Sequence, residues 1–155
     1  MEFPYYAFDI STDDGELKLS VTAIDKGMPE TLKMGGLTVD FNIQVTVCGI
    51  NADFKCWISV GNLYIFYTTL QKCYNNLCGV AILKDYSEKL TNISVDFHKT
   101  GKCTIYGYAQ NGVYSGNKIE FRLNCDQTYI DANIKTLKKL FDELALIQGF
   151  DKFPY

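Results

Sequence analysis

Leu37-Thr38-Val39-Asp40-Phe41-Asn42-Ile43-Gln44-Val45-Thr46-Val47 alternates apolar and polar residues without a break. Successive side chains of a strand point to opposite faces, so Leu37, Val39, Phe41, Ile43, Val45 and Val47 share one side. Thr38, Asp40, Asn42, Gln44 and Thr46 share the other. One apolar face and one wet face mark a strand of an antiparallel sheet covered on one side only. Downstream, Cys48-Gly49-Ile50-Asn51 turns the chain, and Phe54, Cys56 and Ile58 continue the apolar side. Upstream, residues 25–36 (DKGMPETLKMGG) form a polar loop punctuated by glycine and proline. Before it, Leu17, Leu19 and Val21 alternate with Lys18, Ser20 and Thr22. Asp13-Asp14-Gly15 supplies a turn that joins this strand to Tyr6–Ile10.

After Ile58 the period changes. Leu63, Phe66, Tyr67, Leu70, Tyr74 and Leu77 recur at helical spacing and predict an amphipathic helix of about four turns. Ser59 or Asn62 caps its start, and Gly79 suits the left-handed residue that ends it. Strands return with the short, continuous Val80–Leu83. Ile93, Val95 and Phe97 then alternate with Ser94 and Asp96. Beyond the turn at Lys99-Thr100-Gly101-Lys102, Cys103, Ile105, Gly107 and Ala109 alternate with Thr104, Tyr106 and Tyr108. Past Asn111-Gly112, Ile119, Phe121 and Leu123 alternate with Lys118, Glu120 and Arg122. Asp126 stands at an N-cap position. The helix behind it places Ile130, Ile134, Leu137, Phe141 and Leu144 on one stripe, with Lys135, Lys138 and Lys139 outside. The last residues (GFDKFPY) read as a tail, and no internal repeat or linker is visible. The expectation is a single α+β domain over residues 1–155. It is a mostly antiparallel sheet of about seven to eight strands, with two helices packed on one face, in the order β-β-β-β-α-β-β-β-β-α.

Composition narrows the function classes. A chain of 155 residues, 47% hydrophobic and 21% charged, buries enough surface to fold without staples. A net charge of −3 disfavours nucleic-acid binding, which needs a basic footprint to neutralise phosphates. No apolar run approaches the roughly 20 residues that span a bilayer. Met1-Glu2-Phe3-Pro4-Tyr5 lacks the basic and apolar regions of an export signal, so a cytoplasmic protein with six free thiols is expected.

The chemistry-bearing residues do not converge on a catalytic set. His98 is the only histidine, which leaves at most one imidazole for a base or ligand; it reads as a surface residue at a turn. Cys73 and Cys78 lack the tight paired spacing of a zinc site, and Cys48, Cys56 and Cys103 read as small hydrophobes. His98-Lys99-Thr100-Gly101-Lys102-Cys103-Thr104 fails as a phosphate loop, because Asp96 replaces the earlier glycine and Cys103 the metal-binding hydroxyl. The pairs Asp13/Asp14 and Asp142/Glu143 read as solvated. No catalytic residue, metal site or cofactor is expected.

One surface stands out. With the apolar strand faces covered, the opposite face of the second half carries Tyr106, Tyr108, Arg122, Glu120, Lys118 and Asp96. Tyrosine and arginine dominate protein–protein hot spots because they combine large contact area with polar tips. The same residues also suit the wet face of any antiparallel sheet.

The order of motifs from Phe54 onward carries a family resemblance. Gly61-Asn62-Leu63, Phe66, Leu70, Leu77 and Gly79 are followed by Glu88 and Leu90. Then come Gly116-Asn117-Lys118-Ile119-Glu120-Phe121, and Asp126-Gln127-Thr128-Tyr129-Ile130 opens the last helix. Over about its last two-thirds the chain resembles the WapI-type immunity proteins of bacterial polymorphic toxin systems. The Asp126–Ile130 run is a fold marker: Asp126 caps the helix while Tyr129 and Ile130 pack back onto the sheet. Before the long strand many relatives carry an acidic, Trp-containing stretch, whereas this chain reads Lys33-Met34-Gly35-Gly36-Leu37, so no binding residue is carried over. The resemblance implies a non-enzymatic cytosolic protein that binds a cognate toxin domain and neutralises it by steric occlusion. Tyr106, Tyr108, Arg122, Glu120 and Asp96 are the candidate contact residues. The net acidity slightly favours a basic partner. A small-molecule-binding domain, with its pocket between helix and sheet, is the competing reading, and oligomeric state is left open.

Overall fold

The computed structural model describes residues 1–25, 37–86, 88–114 and 116–146. The loop read at 25–36 lies, beyond Asp25, outside the described residues, as does the tail. Strands β1 (Tyr5–Thr12), β2 (Gly15–Asp25), β3 (Thr38–Val47) and β4 (Ile50–Ser59) lead into helix α1 (Val60–Asn76). Strands β5 (Gly79–Lys84), β6 (Thr91–Phe97), β7 (Lys102–Gln110) and β8 (Lys118–Asp126) lead into helix α2 (Thr128–Leu144). The α+β class and the expected element order are both found.

The strands divide into two antiparallel sheets, β1-β2-β3-β4 and β5-β6-β7-β8, in which neighbours in space are neighbours in sequence. The division falls at α1, whose 17 residues carry the chain roughly 25 Å from the end of β4 before β5 begins. A sequence without an evident repeat thus builds one unit twice: four strands, then a 17-residue helix. Each helix packs against the first strand of the other unit, α1 against β5 and α2 against β1.

The inward faces of both sheets and the apolar stripes of both helices share one core. Leu37, Val39, Phe41, Ile43 and Val45 are each at most 2% exposed, as their alternation requires. The helices meet where Phe141 packs on Tyr64 and Tyr67, with ring centroids 5.1 and 5.4 Å away. Phe8 of β1 meets Phe66 of α1 edge-on at 6.0 Å. Leu63, Leu70, Leu137, Leu140 and Leu144 are all at most 1% exposed, so the apolar stripes of the helices are closely packed. An open cleft of about 800 Å³ lies at the rim between Tyr5 and Tyr6 of β1 and Lys135, Thr136, Lys139 and Glu143 of α2.

Capping differs from expectation in detail. Ser59 caps α1 by accepting the Asn62 N–H at 3.2 Å. The helix ends on Leu77, left-handed at φ 50°, and not on Gly79. At α2, Gln127 already has helical dihedrals, so Asp126 is the last extended residue. Its carboxylate accepts the Thr128 N–H at 2.8 Å and the Thr128 hydroxyl, which holds its pKa below the usual carboxylate value. Ile130 packs inward as expected, whereas Tyr129 is 40% exposed.

Two polar joints lock the units together, and neither is a feature of hydrophobic period. Asn133, buried within α2, accepts the Asp9 N–H at 2.6 Å and donates to the Asp9 carbonyl at 2.9 Å. Its amide thereby completes the open edge of β1 as another strand would. Tyr5 adds a hydrogen bond from its hydroxyl to the Thr136 carbonyl at 3.0 Å. At the other joint, the Asp14 carboxylate in the β1–β2 turn accepts the backbone N–H and the side-chain amide of Asn124, each at 3.0 Å. Asp14 is therefore a tie between β8 and the first sheet, beyond the solvated role expected of it.

Asn133→Leu keeps volume but orphans the Asp9 backbone groups, and is expected to lower stability by about 2–4 kcal/mol. Urea unfolding measures this; a loss below about 0.5 kcal/mol would contradict the role assigned to Asn133.

Candidate partner-binding surface

With one face of each sheet turned to the core, the other faces meet solvent, and strand register decides what they display. On the second sheet, Ala81, Leu83, Ile93, Val95, Ile105, Ala109, Phe121 and Leu123 point inward and are buried. The outward residues line up in rows across the four strands. One row runs Ile82, Ser94, Tyr106, Arg122; the next runs Lys84, Asn92, Tyr108, Glu120; a third runs Val80, Asp96, Thr104, Asn124. All five residues singled out in the sequence therefore lie on one face. Tyr106 pairs with Arg122 and Tyr108 with Glu120, while Asp96 sits one row away.

Side-chain contacts hold these groups in place. The Arg122 guanidinium lies 5.7 Å from the Tyr106 ring centre and the Lys118 ammonium 4.3 Å from that of Tyr108. Lys118 also pairs with Glu120 at 2.7 Å, a contact that lowers the Glu120 pKa. The Tyr108 hydroxyl donates to the Lys89 carbonyl at 3.1 Å. Between the two tyrosines lies a groove of about 420 Å³ lined by Asn92, Ser94, Tyr106, Tyr108, Glu120 and Arg122. Asn92 Oδ1 is buried there and accepts no hydrogen bond among the described residues. The groove needs Gly107 behind it: a Cβ at that position would sit 2.0 Å from the Asn92 carbonyl oxygen.

Sequence reasoning missed the β5 side of this face. Val80–Leu83 reads as a continuous apolar run, but only Ala81 and Leu83 point inward. Val80 and Ile82 face solvent at 38% and 46% exposure, and Tyr86 beyond them is 65% exposed. Lys84 joins them, its ammonium 5.2 Å from the Tyr86 ring centre. The apolar outward residues hid the alternation; the signal available was Lys84, two positions on from Ile82. The outward face of the first sheet is different in kind. Its rows are Asp9, Lys18, Gln44, Asp53; Ser11, Glu16, Thr46, Asn51; and Tyr6, Ser20, Asn42, Lys55. A fourth row runs Ala23, Asp40, Trp57, so this face is mostly polar but carries two aromatic residues, the half-buried Trp57 and the exposed Tyr6.

The remaining reactive groups have structural roles. His98 is exposed, with Nε2 3.0 Å from the Thr104 hydroxyl. Asp142 pairs with Lys138 at 2.8 Å, and Glu143 with the terminal amine at 3.4 Å. No cluster of three or more potential ligands for a metal ion occurs among the described residues. Cys56, Cys73 and Cys103 are buried, while Cys48 and Cys78 are exposed. Cys103 and Cys125 face each other across β7 and β8, and the hydrogen bond between their thiols raises the pKa of Cys103 and lowers that of Cys125. Burial, reinforced by Asp85 and Asp40, pushes the Cys56 thiol up to about 12.

The fold keeps Cys56 protonated, so its share of stability is whole below the ordinary thiol pKa and is lost as pH rises from 9.0 towards about 12. Cys56→Ala should flatten the alkaline limb of a stability–pH curve, and an unchanged limb would refute the assignment. In native protein a thiol reagent should modify Cys48 and Cys78 first, with Cys56 and Cys103 protected until denaturant is added.

No curated protein matches the chain. A family match, in contrast, covers nearly all of the architecture described above, running from Ala7 in β1 to Ala145 just past α2. On that match over residues 7–145, the chain belongs to the Immunity protein WapI-like family.

Proposed function

We propose that this protein neutralises a cognate toxin domain by binding it and covering its working surface, with no chemistry of its own. The action takes place in the cytoplasm of the cell that makes the toxin. Family membership supports the toxin-neutralising role. The exposed single histidine and the structural roles of the paired carboxylates support a mechanism by occupancy.

The observation that carries the choice of surface is the outward face of the second sheet. Tyr106, Tyr108, Arg122, Glu120 and Asp96 form adjacent rows there, beside the exposed Val80 and Ile82. Rigid aromatic rings next to exposed aliphatic groups offer contact area at little entropic cost, and the charged tips supply orientation. The first sheet's outward face also carries aromatic residues, Trp57 and Tyr6, but they lie among polar rows without exposed aliphatic neighbours such as Val80 and Ile82.

Co-expression with a candidate toxin domain, sought among the products of neighbouring genes, tests the reading. Cells carrying the protein should grow and cells lacking it should not; equal killing with and without it would refute neutralisation. Tyr106→Ala and Ile82→Asp should each weaken the complex by about 30-fold or more, as loss of a central contact does, measured by calorimetry. Unchanged affinity for both would move the interface off this face.

A further inference from the structure

The charges on this face point to the chemistry of what it binds. Lys84, Lys102, Lys118 and Arg122 stand against Asp96, Glu120 and Asp126, four cations to three carboxylates, on a protein whose net charge is −3. Lys118 and Glu120 neutralise each other. Arg122 and Lys84 are instead stacked beside tyrosine rings, and neither pairs with a carboxylate among the described residues. A ring held beside a cation fixes its position and leaves its outward N–H donors open. The acidic excess lies elsewhere: the first sheet's outward face sets Asp9, Glu16, Asp40 and Asp53 against Lys18 and Lys55. At physiological ionic strength charges are screened beyond about 8 Å, so a docking partner responds to the face it meets more than to the net charge.

We infer that the toxin domain presents to this face a carboxylate-bearing surface with an apolar centre, its acidic side chains paired with Arg122 and Lys84. This rests on the proposed immunity role and reverses the preference for a basic partner that net charge alone suggests. Arg122 on β8 and Lys84 on β5 are three strand spacings apart across the sheet and one row apart along it, roughly 16 Å in all. The partner's carboxylates are therefore two separate groups on either side of Ser94 and Tyr106, the one at Lys84 lying beside Ile82 on β5.

The test uses the purified protein and the toxin domain that it neutralises in the co-expression experiment. Affinities are compared for wild type, Arg122→Glu, Lys84→Glu, Ile82→Asp and the first-sheet double variant Asp40→Lys/Asp53→Lys, with thermal melting to verify folding. Charge reversal at Arg122 or Lys84 should weaken binding by roughly 100-fold, with the double variant within about 2-fold of wild type. Raising salt should lower the affinity of wild type more than that of Arg122→Glu. If Ile82→Asp abolishes binding while the reversals leave it unchanged or tighter, the face is right and an acidic partner is wrong. If only the first-sheet double variant loses binding, the partner is basic and both this inference and the choice of face fall. If no variant affects a complex that still forms, the interface lies elsewhere and the inference falls with it.

Discussion

The Asn133 amide at the edge of β1 is the contact on which the arrangement of the two units turns. A strand edge exposes backbone donors and acceptors that water, another strand or a side chain must satisfy. Here a helix does it, through a side-chain amide that reproduces the donor–acceptor pair of a peptide unit. Because Asn133 sits between Ile130, Ile134 and Leu137, the hydrogen bonds and the apolar stripe of α2 require the same orientation of the helix. The Asn133 amide also donates to the Tyr129 carbonyl one turn back, which leaves it little rotational freedom. Once α2 is held to β1, Phe141 reaches Tyr64 and Tyr67 on α1, and both units share one core.

That closure makes the outward faces available for work. Each sheet spends one face on the core, and the helices lie among the buried residues instead of over the solvent side. Two displays remain: a mostly polar, net acidic face with Tyr6 and Trp57 on the first sheet, and a face that joins aromatic, aliphatic and cationic residues on the second. Stability of the fold is indifferent to most of these outward residues, since an exposed strand position tolerates many side chains. An exposed Ile82 in the row of Tyr106 is therefore informative in a way that the buried Val95 is not. Gly107 belongs to the same logic: its missing Cβ lets β7 approach the Asn92 carbonyl under the groove.

Much of this was legible in the chain. The unbroken alternation of Leu37–Val47 identified an inward and an outward face, and the structure buries the inward residues. The helical spacing from Leu63 and from Ile130 located both helices, and Asp126 caps the second close to the expected position. Tyr106, Tyr108, Arg122, Glu120 and Asp96 were assigned to one face, because residues two apart on paired strands necessarily share it. Less legible was β5, where apolar residues on both faces erased the period that would have revealed Val80 and Ile82. The roles of Asn133 and Asp14 were invisible for another reason. Their partners, Asp9 and Asn124, are 124 and 110 positions away in the chain.

The sequence by itself determined the class and order of elements, the inward residues of each and the family to which the chain is similar. These follow from period, turn chemistry and motif order, all properties of neighbours along the chain. The tertiary structure alone decided that eight strands form two sheets, that each helix packs on the opposite unit and which outward residues gather into a common surface. Pairing register and helix docking depend on contacts between distant segments, and no local period encodes them.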